Sequence, residues 1–376
     1  MAVTQGCSLA DVRDLEPSRR AAAMARLRLA TKTQPGDEAV AAEVRRLGPV
    51  EAEHALIRYG TKLVDHDDVM LSLRSRKDIR LTSPDLPAWP RQLDDLAIPP
   101  LVLFTRGQQS LRQLAIRSVA IVGSRDLTDY GAQVARQWSA DLVALGSSVF
   151  SGAAFGIDYS AHAAALDSGG PTVAVLASGV DVPYPVAHRA MLERVVEVGA
   201  VVSEVPPGCR PRRHWFLKRN RLIAALTPGT VVIEAGLRSG ALSTARAAAA
   251  LNRVVMAAPG PVNSPASAGC NRLIRDHEAV AVTSARDIRE MVSPLTCDDS
   301  NGPTELTIPG FGGPSCADRI LQLLDQQGDA CDLAAMLRAA PDKNVAEVAL
   351  TLADLEASGR VVRGPQGWRR ASRTPG

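Results

Sequence analysis

Short uninterrupted apolar runs alternate along this chain with longer stretches in which apolar residues recur every three or four positions. The runs are Ser118 to Val122, Ser148 to Ser151, Thr172 to Leu176, Ala200 to Ser203, Val231 to Glu234 and Val254 to Ala257. A strand covered on both faces reads this way, because neither face alternates with solvent. The stretches between them predict helices. The first carries Val134, Trp138, Leu142 and Leu145 at helical spacing, a stripe for core packing. Strand and helix in alternation predict an α/β fold around a parallel sheet.

The flanks carry other patterns. Residues 1–83 predict a helical N-terminal domain: Val40, Val44 and Leu47 share one helical face, as do Ala52, Ala55, Leu56 and Tyr59. Leu47-Gly48-Pro49 resembles the turn of a helix-hairpin-helix, so this unit reads as SAM- or helix-hairpin-helix-like, although glycine and proline turn any helical pair. His54 reads as a surface or packing residue. Pro84, Pro87, Pro90, Pro99 and Pro100 exclude a helix interior and predict an extended lead-in to an added strand at Leu101 to Phe104. The central domain then spans residues 84–292. A breaker-rich stretch, residues 293–314, reads as a linker. In residues 315–376, Ala317 to Leu324, Leu333 to Leu337 and Val345 to Leu355 predict three helices. A hairpin follows at Arg360 to Arg370, and this is the layout of a winged helix.

A chain of 376 residues suits two or three units around a large core. No apolar stretch approaches the roughly 20 residues of a membrane span. Asp11, Asp14 and Glu16 precede Arg19 and Arg20 without a signal-like apolar run, so a cytoplasmic protein is expected. The six cysteines are scattered, with no C-x-x-C pair and no histidine cluster, which supports neither zinc nor disulfides. The net charge of +3 is modest, but the charges are not evenly placed. Cys209 to Arg221 holds Arg210, Arg212, Arg213, Lys218, Arg219 and Arg221 and no acidic residue. A plain solvated loop has no need of Trp215 and Phe216 among those cations, whereas a single-strand binding surface does.

The loops after the strands carry the chemistry. Gly123-Ser124-Arg125 offers a close backbone approach and a guanidinium to a phosphate. It is neither G-x-G-x-x-G, since the next glycine is Gly131, nor a P-loop. Ser151 to Asp158 places a glycine on each side of a turn, with Asp158 as a helix cap and His162 one turn further on. A Ser, His and Asp together invite a hydrolase reading, but the G-x-S-x-G elbow is missing. Gly179 to Pro185 and Ser203 to Gly208 follow the next strands. Gly236 to Thr244 is a second phosphate-cradle candidate, leading into a helix from Ala245 to Leu251. Pro259-Gly260 and Ala268 to Asn271 complete the set. In a doubly wound sheet these carboxyl-end loops converge on one crevice.

GSR, SGAAFGID with His162 downstream, GVDVPYP, SEVPPG, FLKRNRLI, SGALSTA, APG and AGCNRLI stand in that order. From Pro84 to Val282 the chain thereby resembles the DNA processing protein A family, also called Smf. The resemblance implies an extended Rossmann-like domain with a doubly wound, mostly parallel sheet. It also implies single-stranded DNA binding, homodimerisation and loading of the RecA recombinase in natural transformation, with no membrane and no cofactor. Family DNA contacts fall by motif on Arg125, Gly152, Lys218, Asn220 and Arg221. With the neighbouring loop residues Gly123, Ser124, Ser151, Phe216, Ser239, Gly240 and Thr244 they form the candidate site, which includes no catalytic and no metal-binding residue. Leu226-Thr227-Pro228 and His277-Glu278 depart from the family pattern locally.

The alternative is a nucleotide-binding or nucleoside-monophosphate-hydrolysing enzyme of the lysine-decarboxylase-like Rossmann group. That chemistry needs P-G-G-x-G-T-x-x-E after a strand, where this chain has EAGLRSGALSTA, and Pro228-Gly229-Thr230 precedes the strand instead. Glu204 and Glu234 remain as carboxylates. A winged-helix transcription factor is a third reading, opposed by Glu347, Asp354 and Glu356 against Lys343 on the third helix. Arg360, Arg363, Arg369 and Arg370 leave the wing able to touch a DNA backbone. Ile288, Met291 and Val292 are the apolar residues that support dimerisation through the central domain.

Overall fold

The computed structural model describes Val12 and residues 14–56, 65–293, 316–327 and 331–339, with shorter stretches between 348 and 370. Four helices come first: α1 (Pro17–Lys32), α2 (Glu38–Leu47), α3 (Pro49–Leu56) and α4 (His66–Ser75). Then follow β1 (Ile79–Thr82), β2 (Leu103–Gly107), α5 (Leu111–Ile116), β3 (Ser118–Gly123), α6 (Asp129–Ala144), β4 (Ser148–Ser151) and α7 (Ile157–Asp167). Next are β5 (Thr172–Leu176), α8 (Arg189–Val198), β6 (Ala200–Ser203), α9 (Trp215–Leu226) and β7 (Gly229–Ile233). The run closes with α10 (Ala241–Ala250), β8 (Val254–Ala257), α11 (Ala268–Arg275), β9 (Val280–Ala281) and α12 (Ala285–Val292).

All these strands join one sheet in the order β1-β2-β6-β5-β4-β3-β7-β8-β9. β1 and β2 pair antiparallel with each other, and β2 pairs antiparallel with β6; the remaining pairs are parallel. Every residue of β3 to β5 except Gly123 is buried, as the unbroken apolar runs require. The sheet is extended and Rossmann-like, with helices on both faces.

Several boundaries differ from the sequence expectation. The added strand begins at Leu103, not Leu101, and continues to Gly107 so that it can pair with both β1 and β6. β7 opens at Gly229, so Gly229 and Thr230 lie inside the strand and not before it. α10 starts at Ala241, four residues early, which places Thr244 inside the helix. Leu145 is 40% exposed, because α6 ends at Ala144 and the core stripe stops at Leu142.

The N-terminal helices are not a separate body. Leu27, Ala30, Val69 and Leu73 are buried in one cluster with Ile79, Leu81, Phe104 and Val201 of the sheet. Residues 1–304 accordingly form one compact unit, and β1, which lies before residue 84, is its edge strand. His54 and Ala55 are exposed on α3, while Tyr59 lies outside the described residues. Ile288 is fully buried and Val292 packs on the same cluster, leaving Met291 as the exposed member of the apolar trio at 41%.

The second unit, residues 305–376, contains α13 (Cys316–Gln327), α14 (Leu333–Ala339) and a hairpin of β10 (Val361–Gly364) and β11 (Gly367–Arg370). Ile320, Leu324, Met336, Val348, Leu352 and Val361 form its core. Lys343, Glu347 and Asp354, and the linker residues from 294 to 314, lie outside the described residues. Cys209 and Cys270 are free thiols, and burial pushes Cys270 up to about 12. No described helix is long and apolar enough to cross a membrane.

Candidate nucleic-acid interface

The chain reverses its direction of travel across the sheet between β3 and β7. From β3 it proceeds through β4 and β5 to β6, and β7 returns to the other side of β3. The carboxyl ends of two strands with such divergent connections leave a crevice between them. Here that crevice has a volume of about 470 Å³.

Three chain segments form most of its wall, and Ala154 of the β4–α7 turn and Asp158 of α7 complete it. The first is Gly123-Ser124-Arg125. A Cβ on Gly123 would lie 1.9 Å from the Ile233 carbonyl oxygen, so only glycine lets β3 and β7 run this close to their ends. Ser124 N–H then donates to the Glu234 carbonyl at 2.7 Å, and Arg125 extends into solvent.

The second wall is α9. Phe216, Arg219, Asn220 and Ile223 all line the crevice, at the spacing that puts residues on one helical face. The Arg125 guanidinium stands 5.7 Å from the Phe216 ring centre, and the Tyr184 ring centre lies 5.5 Å from it, tilted by 54°. Trp215 turns the other way. It is 2% exposed and packs on Ala177 and Val205, so one of the two aromatics serves the core.

Arg219 is the buried cation of the site. It is 7% exposed, donates from Nη1 to the Val175 carbonyl at 2.6 Å, and leaves Nε without a partner. Burial draws its guanidinium down to about 10, against the opposing pull of the Asp158 charge, so it stays ionised at neutral pH. Burial likewise pushes the Asp158 carboxyl up, offset by Arg219 and by N–H donors. Asp158 Oδ2 accepts from Gly152 at 3.1 Å and Ala154 at 3.3 Å. It therefore fixes the β4–α7 turn instead of capping α7.

The third wall is the β7–α10 turn with Gly236, Arg238, Ser239, Gly240 and Thr244. Asn220 Nδ2 donates to the Gly240 carbonyl at 3.3 Å and ties this turn to α9. The amides expected to cradle a phosphate are engaged internally: Ala241 with Ser239 Oγ, Leu242 with the Ser239 carbonyl and Ser243 with the Gly240 carbonyl. Positive charge at this site comes from Arg125, Arg219 and Arg238 against Asp158, not from bare helix amides.

Of the candidate residues, Gly123, Ser124, Arg125, Phe216, Asn220, Ser239, Gly240 and Thr244 converge on the crevice. Ser151 and Gly152 stand behind its wall. Ser151 Oγ donates to the Ile121 carbonyl at 2.6 Å, and Gly152 backs onto Arg219. Lys218 and Arg221 occupy a different face of α9. Lys218 Nζ donates to the Gly36 carbonyl at 3.1 Å. Arg221 donates to the Ile98 carbonyl at 2.7 Å and to Glu204 at 2.6 Å. Arg219 and Arg238 were not among the candidates; reading the basic run as helix from Trp215 would have grouped Arg219 with Phe216 and Asn220.

The residues that invited enzymatic readings have other work. Glu204 pairs with Arg221 and accepts from Gly36 N–H at 3.3 Å. Glu234 receives the Thr128 hydroxyl and, at 3.0 Å, its N–H, anchoring the start of α6. His162 Nδ1 lies 2.7 Å from Thr172 Oγ1. The Thr172 hydroxyl proton already goes to the Val149 carbonyl at 2.7 Å, so Nδ1 is the donor and Nε2 carries no proton. His162 is thus held by Thr172 and not by a serine and an aspartate in a triad.

The crevice, basic and partly aromatic, thus lies at the switch point of an extended Rossmann-like sheet. The DNA recombination-mediator protein A family model matches residues 80–293, and the chain belongs to that family. A Mycobacterium tuberculosis chain designated a DNA processing protein DprA is 45% identical over 302 residues, 74% of this chain and 76% of that one. Protein Smf of Escherichia coli is 35% identical over 76% of this chain and 75% of its own. The X-ray structure of DNA processing protein A from Streptococcus pneumoniae superposes with a TM-score of 0.59 at 30% identity, covering 71% of this chain and 96% of that one. The Helicobacter pylori DNA processing protein A, solved for its single-stranded DNA binding mode, gives 0.51 at 27% identity, covering 56% and 94%.

Proposed function

We propose that this chain binds single-stranded DNA in the crevice between β3 and β7, protects incoming strands and loads the RecA recombinase onto them in natural transformation and recombination. The observation that carries the reading is the convergence of Arg125, Arg219 and Arg238 with Phe216 and Asn220 in one open crevice. Guanidinium groups fork onto phosphate oxygens, and an aromatic ring stacks on any base, so the site suits a backbone with little sequence preference. Family membership and the strand-binding relative from Helicobacter pylori support the same reading.

In this reading the protein works as a cytoplasmic homodimer, without cofactor or catalysis. The engagement of Glu204 and Glu234 in structural bonds supports binding over hydrolysis. Lys218 and Arg221 act by holding α9 in place. The unit of residues 305–376 is an accessory winged helix. Titrating a labelled oligonucleotide, single-stranded and then duplex, beside an assay for base release from a nucleoside monophosphate tests the reading. Salt-dependent binding of the single strand with no base release is expected; base release, or preference for the duplex, would overturn it.

A further inference from the structure

A second groove, of about 460 Å³, lies on the other side of the β4–α7 turn, where Phe155, Gly156 and Tyr159 form one wall and His188 another. The turn itself separates it from the crevice: Ala154 lines the crevice and Phe155, the next residue, lines the groove. Gly156 has φ +80°, and a Cβ there would lie 2.2 Å from the Ser124 carbonyl and 2.5 Å from that of Arg125. The aromatic wall is therefore seated against the backbone of the crevice's own arginine loop.

Phe155 is 50% exposed and Tyr159 41%. Both rings rest on the buried His188, each with its centre 4.6 Å from the imidazole centre, at 71° and 38°. His188 is in turn pinned through Nδ1 to the Ala153 carbonyl at 3.0 Å. Two half-exposed rings are thus held in fixed positions by a buried third one. The chain has five Phe and four Tyr, and four of these nine, Phe155, Tyr159, Tyr184 and Phe216, gather around the two openings. The charges differ between the openings. Three guanidinium groups face one carboxylate in the crevice, whereas Arg136 is balanced by Asp129 at the groove. A site of balanced charge with rigid exposed rings suits an uncharged planar group and gives no advantage to a second phosphate.

We infer that the groove is a stacking subsite for an unpaired nucleobase of the same strand whose phosphate lies in the crevice, with Phe155 and Tyr159 as its platforms. This rests on the single-strand reading of the crevice. The full-length chain is titrated with a short thymidine oligonucleotide and with the same backbone carrying abasic residues throughout. Phe155→Ala and Tyr159→Ala should each weaken binding of the intact strand about 5- to 150-fold, the effect of one lost stacking platform. Both should leave the salt slope unchanged and bind the abasic strand as the wild type does. Phe155→Trp should restore binding of the intact strand.

Unchanged affinity of both alanine variants for the intact strand would overturn the subsite, as would an equal loss on the intact and abasic strands. A wild-type chain that binds neither strand would instead overturn the crevice reading. Because both rings are half-exposed, the variants should unfold at the wild-type temperature, and the abasic strand provides a binding control within each variant.

Discussion

Arg219 occupies the space that a side chain at position 152 would need. A Cβ on Gly152 would lie 1.8 Å from Arg219 Nη1, so Gly152→Ala must displace a buried guanidinium from the Val175 carbonyl. The affinity for single strands should fall at least about tenfold, together with stability, since an uncompensated buried charge costs about 3 to 5 kcal/mol. Binding and urea titrations of that variant check this. His162 supplies a pH prediction. Burial, reinforced by the charges of His188 and Arg219, brings its pKa from 6.5 to about 3, so below pH 6.5 the unfolded chain takes up a proton that the fold refuses. Its contribution is present in full at neutral pH and is lost as pH falls from about 6.5 to about 3. His162→Asn should flatten the fall in urea midpoint over that window relative to wild type.

Helix α9 shows how much of the site could be seen before folding and how much could not. Six cations without an acid were visible, and so was their association with aromatic residues. What linear order conceals is the 100° rotation per residue that sends Phe216, Arg219, Asn220 and Ile223 to the crevice but Lys218 and Arg221 to Gly36, Ile98 and Glu204. Prolines at 207 and 211 and a glycine at 208 make the stretch look like loop, and nothing local announces that Trp215 starts a helix. The strands were far more legible, because burial on both faces leaves an unmistakable apolar run. β1 was not, since a four-residue edge strand with Arg80 in its middle has no such run. From the contacts of α9, Arg221→Ala should lower stability by about 2 to 4 kcal/mol by leaving Glu204 unpaired at 10% side-chain exposure. Melting curves should show that loss, and Arg221→Ala with Glu204→Gln should recover part of it.

At the scale of the whole molecule, the N-terminal helices are part of the sheet's packing and the C-terminal unit is a body of its own. A fragment of residues 84–292 loses β1 and uncovers the sheet face beneath Leu27 and Ala30, so it should melt well below the full chain. Deleting residues 305–376 should leave the melting point of the remainder and its single-strand affinity unchanged within about twofold, measured by the same titration. Within the C-terminal unit, Arg370 pairs with Asp325 at 3.2 Å and Arg363 lies over Trp368 at 5.5 Å, which occupies two of the four arginines in and beside the β10–β11 hairpin. The claim that unites these scales is that strand affinity arises from phosphate neutralisation inside the crevice. The most direct measurement is the slope of log affinity against log salt for a labelled single strand. Arg125→Gln and Arg238→Gln should each reduce the slope by about 0.7, whereas Lys218→Gln should leave it near the wild-type value. Unchanged slopes in folded Arg125→Gln and Arg238→Gln proteins, with a reduced slope in Lys218→Gln, would place the strand on the other face of α9 and contradict the crevice.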